Sequence, residues 1–183
     1  MIFQNKKFSI LFMFMVMFLF NSSRLDAVIL HSEKIRNYEV TVQINKNGTL
    51  TVNEVIDYQF GEEFKHGIYR DIPLRSKRLG FDVYKSFIKM NWIKRDGKDE
   101  EYTKNHFYEG IRYRIGSETE LVNLYKTESV YELNYDIYNA VFEKDGIYQV
   151  YFNAIGQFWK VPIEKAIVNI KFGNGKPVTE NEI

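Results

Sequence analysis

YEVTVQINKNGTLTVNEVIDYQF, residues 38–60, alternates with period two on both sides of a short polar interruption. Tyr38, Val40, Val42 and Ile44 share one parity, and Glu39, Thr41 and Gln43 the other. After NKNG the alternation resumes through Leu50, Val52, Ile56, Tyr58 and Phe60. Successive side chains of a strand point to opposite faces, so each run reads as a strand with one face buried. Asn and Gly accept positive φ cheaply, which makes NKNG a turn and the whole stretch a β-hairpin.

Working outward, the same signal recurs at 82–95, closed by Asp96-Gly97, then at 110–116, 129–142, 147–153 and 165–172. Lys144-Asp145-Gly146 supplies a turn between the strand over 129–142 and the next. Only ETELVNLYK (118–126) offers a short helix. The segments 61–80 and 153–163 read as loops. Many short strands with turn residues between them predict an all-β fold, an antiparallel β-sandwich of immunoglobulin-like general architecture.

One residue breaks the hairpin's pattern. Glu54 shares parity with Leu50, Val52, Ile56, Tyr58 and Phe60, so it points toward the apolar side. A buried carboxylate without a partner costs several kcal/mol, so it is paired, protonated or near the strand's rim. The nearest cation in apolar surroundings is Arg70 in HGIYRDIPL, and a Glu54–Arg70 ion pair is expected.

The first segment stands apart from this domain. Lys6 and Lys7 precede the apolar run FSILFMFMVMFLF (8–20), and polar NSSRLDA follows. These are the three parts of a secretory signal, and the run is short of the ~20 residues of a membrane-spanning helix. The expected organisation is a signal peptide over 1–27 (or an uncleaved anchor), an extracytoplasmic domain over 28–172 and a polar tail over 173–183. Removing 1–27 takes three bases and one acid, shifting the balance from 25 against 24 to 22 against 23, a net −1. A near-neutral chain has no electrostatic footprint for nucleic acid. It contains no Cys, so its core must stabilise it without disulfides.

Catalytic motifs are sparse. There is no Cys nucleophile, G-x-S-x-G elbow, P-loop or H-E-x-x-H helix, and no cofactor is expected. His31, His66 and His106 each stand alone, and nothing in the spacing of His66, Asp71 and His106 demands a shared metal. Asn47-Gly48-Thr49 matches a glycosylation acceptor, but the turn already requires Asn and Gly there.

The order of NGTLTVNEVIDYQF, HGIYRDIP, YRIG, LNYDIYNAV and YFNAIGQFWKVPI resembles the YciQ-like predicted membrane proteins, over residues 33 to 172. The positions that carry the resemblance include Gly48, Glu54, Gly67, Arg70, Gly116, Tyr135, Asn153, Gly156, Trp159 and Pro162. It implies an extracytoplasmic β-sandwich at the front of a larger membrane protein, with no activity to carry over. Such proteins continue into transmembrane segments, whereas this sequence has no apolar span after residue 20.

The leading expectation is therefore a non-catalytic interaction or structural domain of a membrane-associated envelope protein. Its partner would be another envelope or membrane protein, or the membrane-embedded part of the same protein. A glycan-binding module using Trp159, Phe158 and Tyr151 is the alternative, and a hydrolase using Asp or Glu with His66 is a third. YFNAIGQFWKVPI (151–163) decides between the first two. As a corner between strands it would use Gly156 for an unusual backbone, Asn153 for a local hydrogen bond, Pro162 at a strand start, and Trp159 as a cap on the core.

Overall fold

The computed structural model describes residues 32–77, 83–124, 126–144 and 146–175. The expected signal segment, most of the tail, and Asp145 of the expected turn lie outside the described residues. Among the described residues no helix is long and apolar enough to cross a membrane.

Among the described residues, thirteen strands form in chain order: β1 Lys34–Ile44, β2 Leu50–Gln59, β3 Ile68–Pro73, β4 Arg75–Lys77, β5 Val83–Lys85, β6 Phe87–Arg95, β7 Lys98–Asp99, β8 Tyr102–His106, β9 Gly110–Ile115, β10 Glu128–Tyr138, β11 Val141–Lys144, β12 Ile147–Val150 and β13 Ala166–Phe172. A six-stranded sheet has the order β13-β1-β2-β10-β6-β7, and a three-stranded sheet the order β3-β9-β8. Two short ribbons, β4-β5 and β11-β12, complete the fold. The all-β, largely antiparallel expectation holds. Its narrower immunoglobulin-like part goes no further than the sequence.

The hairpin that opened the sequence is β1–β2, in register from Lys34↔Gln59 to Ile44↔Leu50, with a bulge between Ile35 and Asn37. Its alternation becomes burial: Tyr38, Val40, Val42, Leu50, Val52, Ile56 and Tyr58 are all in the core. β10 adds Tyr131, Leu133, Tyr135 and Ile137, and β3 and β9 supply Ile68, Ile72, Ile111, Tyr113 and Ile115 from the other sheet. The two sheets thus share a single apolar core. Gly67 and Gly116 allow β3 and β9 to close at one end. A Cβ on Gly67 would lie 1.8 Å from the Ile115 carbonyl oxygen, and one on Gly116 1.9 Å from that of His66.

Four expectations need correction. The supposed 61–74 loop contains β3, because Ile68, Arg70 and Ile72 all face the core and the arginine disguises the alternation. No helix forms over the described residues of 118–126. Instead the Val122 N–H donates to the Lys65 carbonyl and Asn123 accepts from the Lys65 N–H, which fastens the segment to 63–66. The strand over 129–142 breaks at Asn139, whose φ of 59° ends β10 and releases β11 to pair with β12. Finally, β13 runs parallel to β1, from Tyr38↔Ala166 to Ile44↔Phe172. Parallel and antiparallel partners demand the same alternation, so the sequence did not separate them.

Candidate functional site

Glu54 and Arg70 meet between the two sheets. β2 carries Glu54 inward at the parity set by its apolar neighbours, and β3 carries Arg70 inward between Ile68 and Ile72. Arg70 donates from Nε to Glu54 Oε2 at 2.8 Å and from Nη2 to Glu54 Oε1 at 2.7 Å, a bidentate fork. The Tyr38 hydroxyl donates to Oε2 at 2.8 Å, and the Tyr135 hydroxyl donates to Oε1. The remaining guanidinium donors reach the carbonyls of Asp71 (2.6 Å) and Ala154 (3.3 Å). Both charged side chains are buried, with 1% exposure for Arg70 and 0% for Glu54.

Such a node is stable only when its charges are matched and its donors satisfied. Burial pushes the Arg70 guanidinium down, but the charge and hydrogen bonds of Glu54 together with Tyr38 and Tyr135 outweigh it and the net direction is up. Burial pushes the Tyr38 and Tyr135 phenols well above their ordinary value, with the Glu54 charge raising both further. Arg70, Tyr38 and Tyr135 are thereby held in the protonation states of neutral pH.

The aromatic corner closes over this node. The Trp159 ring lies 5.6 Å from the guanidinium carbon and meets the Tyr38 ring edge-on at 5.7 Å. Its indole N–H donates to the Ile155 carbonyl at 3.0 Å. Gly156 sits at φ 81°, and a Cβ there would stand 2.6 Å from Arg70 Nη1. The Gly156 N–H donates to Asn153 Oδ1 at 2.9 Å, which holds the bend. Beyond it, the Pro162 carbonyl accepts from the Ile35 N–H and Ile163 bridges to Ile35 in parallel, leading the chain into β13. The stretch is a corner that doubles as a plug over Arg70.

The other candidates do not assemble. Phe158 packs edge-on against Phe107 at 5.5 Å, away from the Trp159–Tyr38 contact, while Tyr151 is exposed. The three rings proposed for glycan stacking therefore engage different neighbours. The His66 Nδ1 is 2.9 Å from the Glu120 carbonyl oxygen. Asp71 is held by Arg112 in a bidentate pair, 2.7 Å in each arm, and His106 lies on β8. Among the described residues no group of three or more His, Asp or Glu is placed to hold a metal ion. The sequence missed Tyr38 and Tyr135 as members of the node, although both share the core parity that pointed to Glu54.

The family described as predicted membrane protein (DUF2207) N-terminal domain matches residues 34–181. The uncharacterized protein YciQ of Escherichia coli (strain K12) is 23% identical over 156 residues, covering 84% of this chain. This chain spans 24% of that relative's length, about a quarter. Among solved structures, a two-domain M1 zinc metallopeptidase bound to L-arginine superposes with a TM-score of 0.47 at 8% identity, over 76% of this chain and 32% of that one. An M1 zinc metallopeptidase from Deinococcus radiodurans gives 0.38 at 8% identity, over 57% and 20%. These partial likenesses carry neither activity nor ligand over to this chain.

Proposed function

The chain belongs to the DUF2207 family of predicted membrane proteins, whose N-terminal domain it carries, and from that premise we propose that it is a non-catalytic, extracytoplasmic interaction domain. One observation carries this reading. The cluster of groups best suited to chemistry, Glu54 with Arg70, Tyr38 and Tyr135, is sealed in the core, and each Glu54 oxygen accepts two hydrogen bonds from within the chain. A general acid, base or oxyanion donor has to reach its substrate within about 3 Å. A node under the Trp159 plug offers no such approach, and its role is to pin two sheets together. The apolar run FSILFMFMVMFLF after Lys6 and Lys7 supports export, and the partner is an envelope or membrane protein.

The test is made in the native host with the full chain carrying a C-terminal epitope. Protease added to intact cells, after removal of any outer barrier, should digest the domain. A photo-crosslinker placed at exposed Tyr148 should trap an envelope or membrane protein. Protection from protease until the cytoplasm is opened, or crosslinks to cytoplasmic proteins alone, overturns the proposal.

A further inference from the structure

The two sheets part at one side. β8 is the last strand of its sheet, and β6 pairs beyond β10 only through Lys94 and Arg95 with β7. Among the described residues, β8 and the Phe87–Trp92 part of β6 are thus strand edges with no paired neighbour, while the Ile93 carbonyl already accepts from the Glu100 N–H. Both edges line the same two adjoining clefts, of about 480 and 440 Å³, which share Ile88 and Lys104. Their floor is apolar: Ile88 and Met90 from β6, Ile111 and Tyr113 from β9.

The rim is cationic. Arg75, Lys85, Lys89 and Lys104 line the clefts, and neither cleft is lined by an Asp or Glu. None of these four cations takes part in an ion pair among the described residues. Lys104 and His106 pair with Tyr113 and Ile111, whose side chains are buried, so they occupy the core-facing parity of β8. Charged and titratable residues stand where the core would continue if the sheets stayed closed.

Lysines on a strand edge often serve only to block edge-to-edge aggregation. A guarded edge, however, has no use for exposed apolar surface beside the guard. Here Phe87, Tyr102 and Tyr108 remain 55%, 40% and 74% exposed around the same clefts. Two free backbone edges, an apolar floor and an acid-free cationic rim define a complement with all three properties.

Resting on the reading of the domain as an interaction module, we propose that the β6–β8 cleft binds an extended acidic segment of a partner protein. The segment adds as a strand along the open edge, and the period-two pleat sends alternate side chains to opposite sides. Inward side chains settle on Ile88, Met90 and Tyr113 beside Lys104, while outward acidic side chains meet Lys89, with Arg75 and Lys85 flanking the cleft.

The probe is a fluorescein-labelled peptide of four Glu-Val repeats, titrated against the full chain. It is compared with four Lys-Val repeats, with a Glu-Val peptide N-methylated at alternate positions, and with phosphatidylglycerol vesicles. Saturable binding of the acidic peptide is expected, at least tenfold weaker after N-methylation and in Lys89→Glu/Lys104→Glu. That variant must keep the parent's circular dichroism and unfolding midpoint. If it does not, Lys89→Ala and Lys104→Ala are each expected to weaken binding at least threefold. Unchanged affinity on N-methylation or in the variants overturns the proposal, as does vesicle binding lost in the variants while the peptide fails to bind. In cells, a crosslink from Tyr148 with none from Tyr102 overturns the cleft but leaves the interaction module standing. Protease protection of the intact chain overturns the module itself.

Discussion

Glu54→Gln tests the buried node most directly. The carboxylate accepts four hydrogen bonds, two on each oxygen, from Arg70 Nε and Nη2 and from the Tyr38 and Tyr135 hydroxyls. Glutamine has nearly the same shape, but one oxygen becomes an NH2 group that is itself a donor. The tyrosine facing it can rotate its hydroxyl and accept, whereas the guanidinium N–H cannot. One buried Arg70 donor is left without an acceptor, at a cost of about 1–3 kcal/mol. The positive charge also loses its counter-charge in a fully buried site. Breaking one partner of a buried pair typically costs about 3–5 kcal/mol, and that is the expected loss. It is a large part of the about 5–15 kcal/mol that holds most domains folded. Urea unfolding followed by circular dichroism measures it as a lower midpoint at constant slope. Pairing the change with Arg70→Met should recover part of the loss, because the orphaned charge is removed as well. A loss below about 0.5 kcal/mol for Glu54→Gln, or a double variant as unstable as the sum of the singles, would mean that the two groups are hydrated and independent.

Gly156→Ala places a Cβ 2.6 Å from Arg70 Nη1 at φ 81°. The left-handed backbone alone costs about 1–2 kcal/mol, so a drop of at least that size is expected in the same urea assay, and an unchanged midpoint would show that the guanidinium yields freely. Burial raises the Tyr38, Tyr135 and Tyr131 phenols and pushes Tyr113 up to about 12. Raised phenols contribute stability that is complete below the unfolded value of about 10 and is lost as pH rises through the folded values. Absorbance at 295 nm should therefore show a late ionisation coincident with alkaline unfolding; a single step near pH 10 in a folded protein would refute the burial. For Asp96, burial pushes the carboxyl up, but the Val130 N–H, Lys126 and Ser129 outweigh it and hold it below the usual range. Its contribution is complete above about pH 4 and fades as pH falls further through the folded value, so Asp96→Asn should flatten the acid limb of stability below about pH 4. An acid limb as steep as the parent's would remove Asp96 from the account.

Where one face of a strand is apolar and the other polar, the sequence was enough. β1, β2 and β10 follow their alternation closely, and the parity of Glu54 within β2 pointed to Arg70, whereas in β13, the last strand of its sheet, the alternating Val168 and Ile170 stay exposed. β3 was hidden by that same arginine, which looks like a surface residue until its carboxylate is found on another sheet. β8 has no apolar face: YTKNH is exposed throughout and is a strand because β9 pairs with it. The clefts beside it were illegible for the same reason. They arise from where two sheets diverge, and divergence leaves no periodic mark in the chain. Gly156 was legible as a bend, but its closeness to Arg70, 86 residues earlier by numbering, was not.

The parallel pairing of β13 with β1 has a mechanical consequence. The two strands run in the same direction, so the start of β1 at Lys34 and the end of β13 at Phe172 lie at opposite ends of the ladder. At about 3.3 Å per residue, the 11 residues of β1 span roughly 35 Å. Tension drawn between those ends pulls the strands past each other along their length. The seven partner pairs from Tyr38↔Ala166 to Ile44↔Phe172 then resist together, as fibres in a splice do. Peeling, by contrast, would break them one at a time, so the strand order favours a domain that holds under force applied along its own axis.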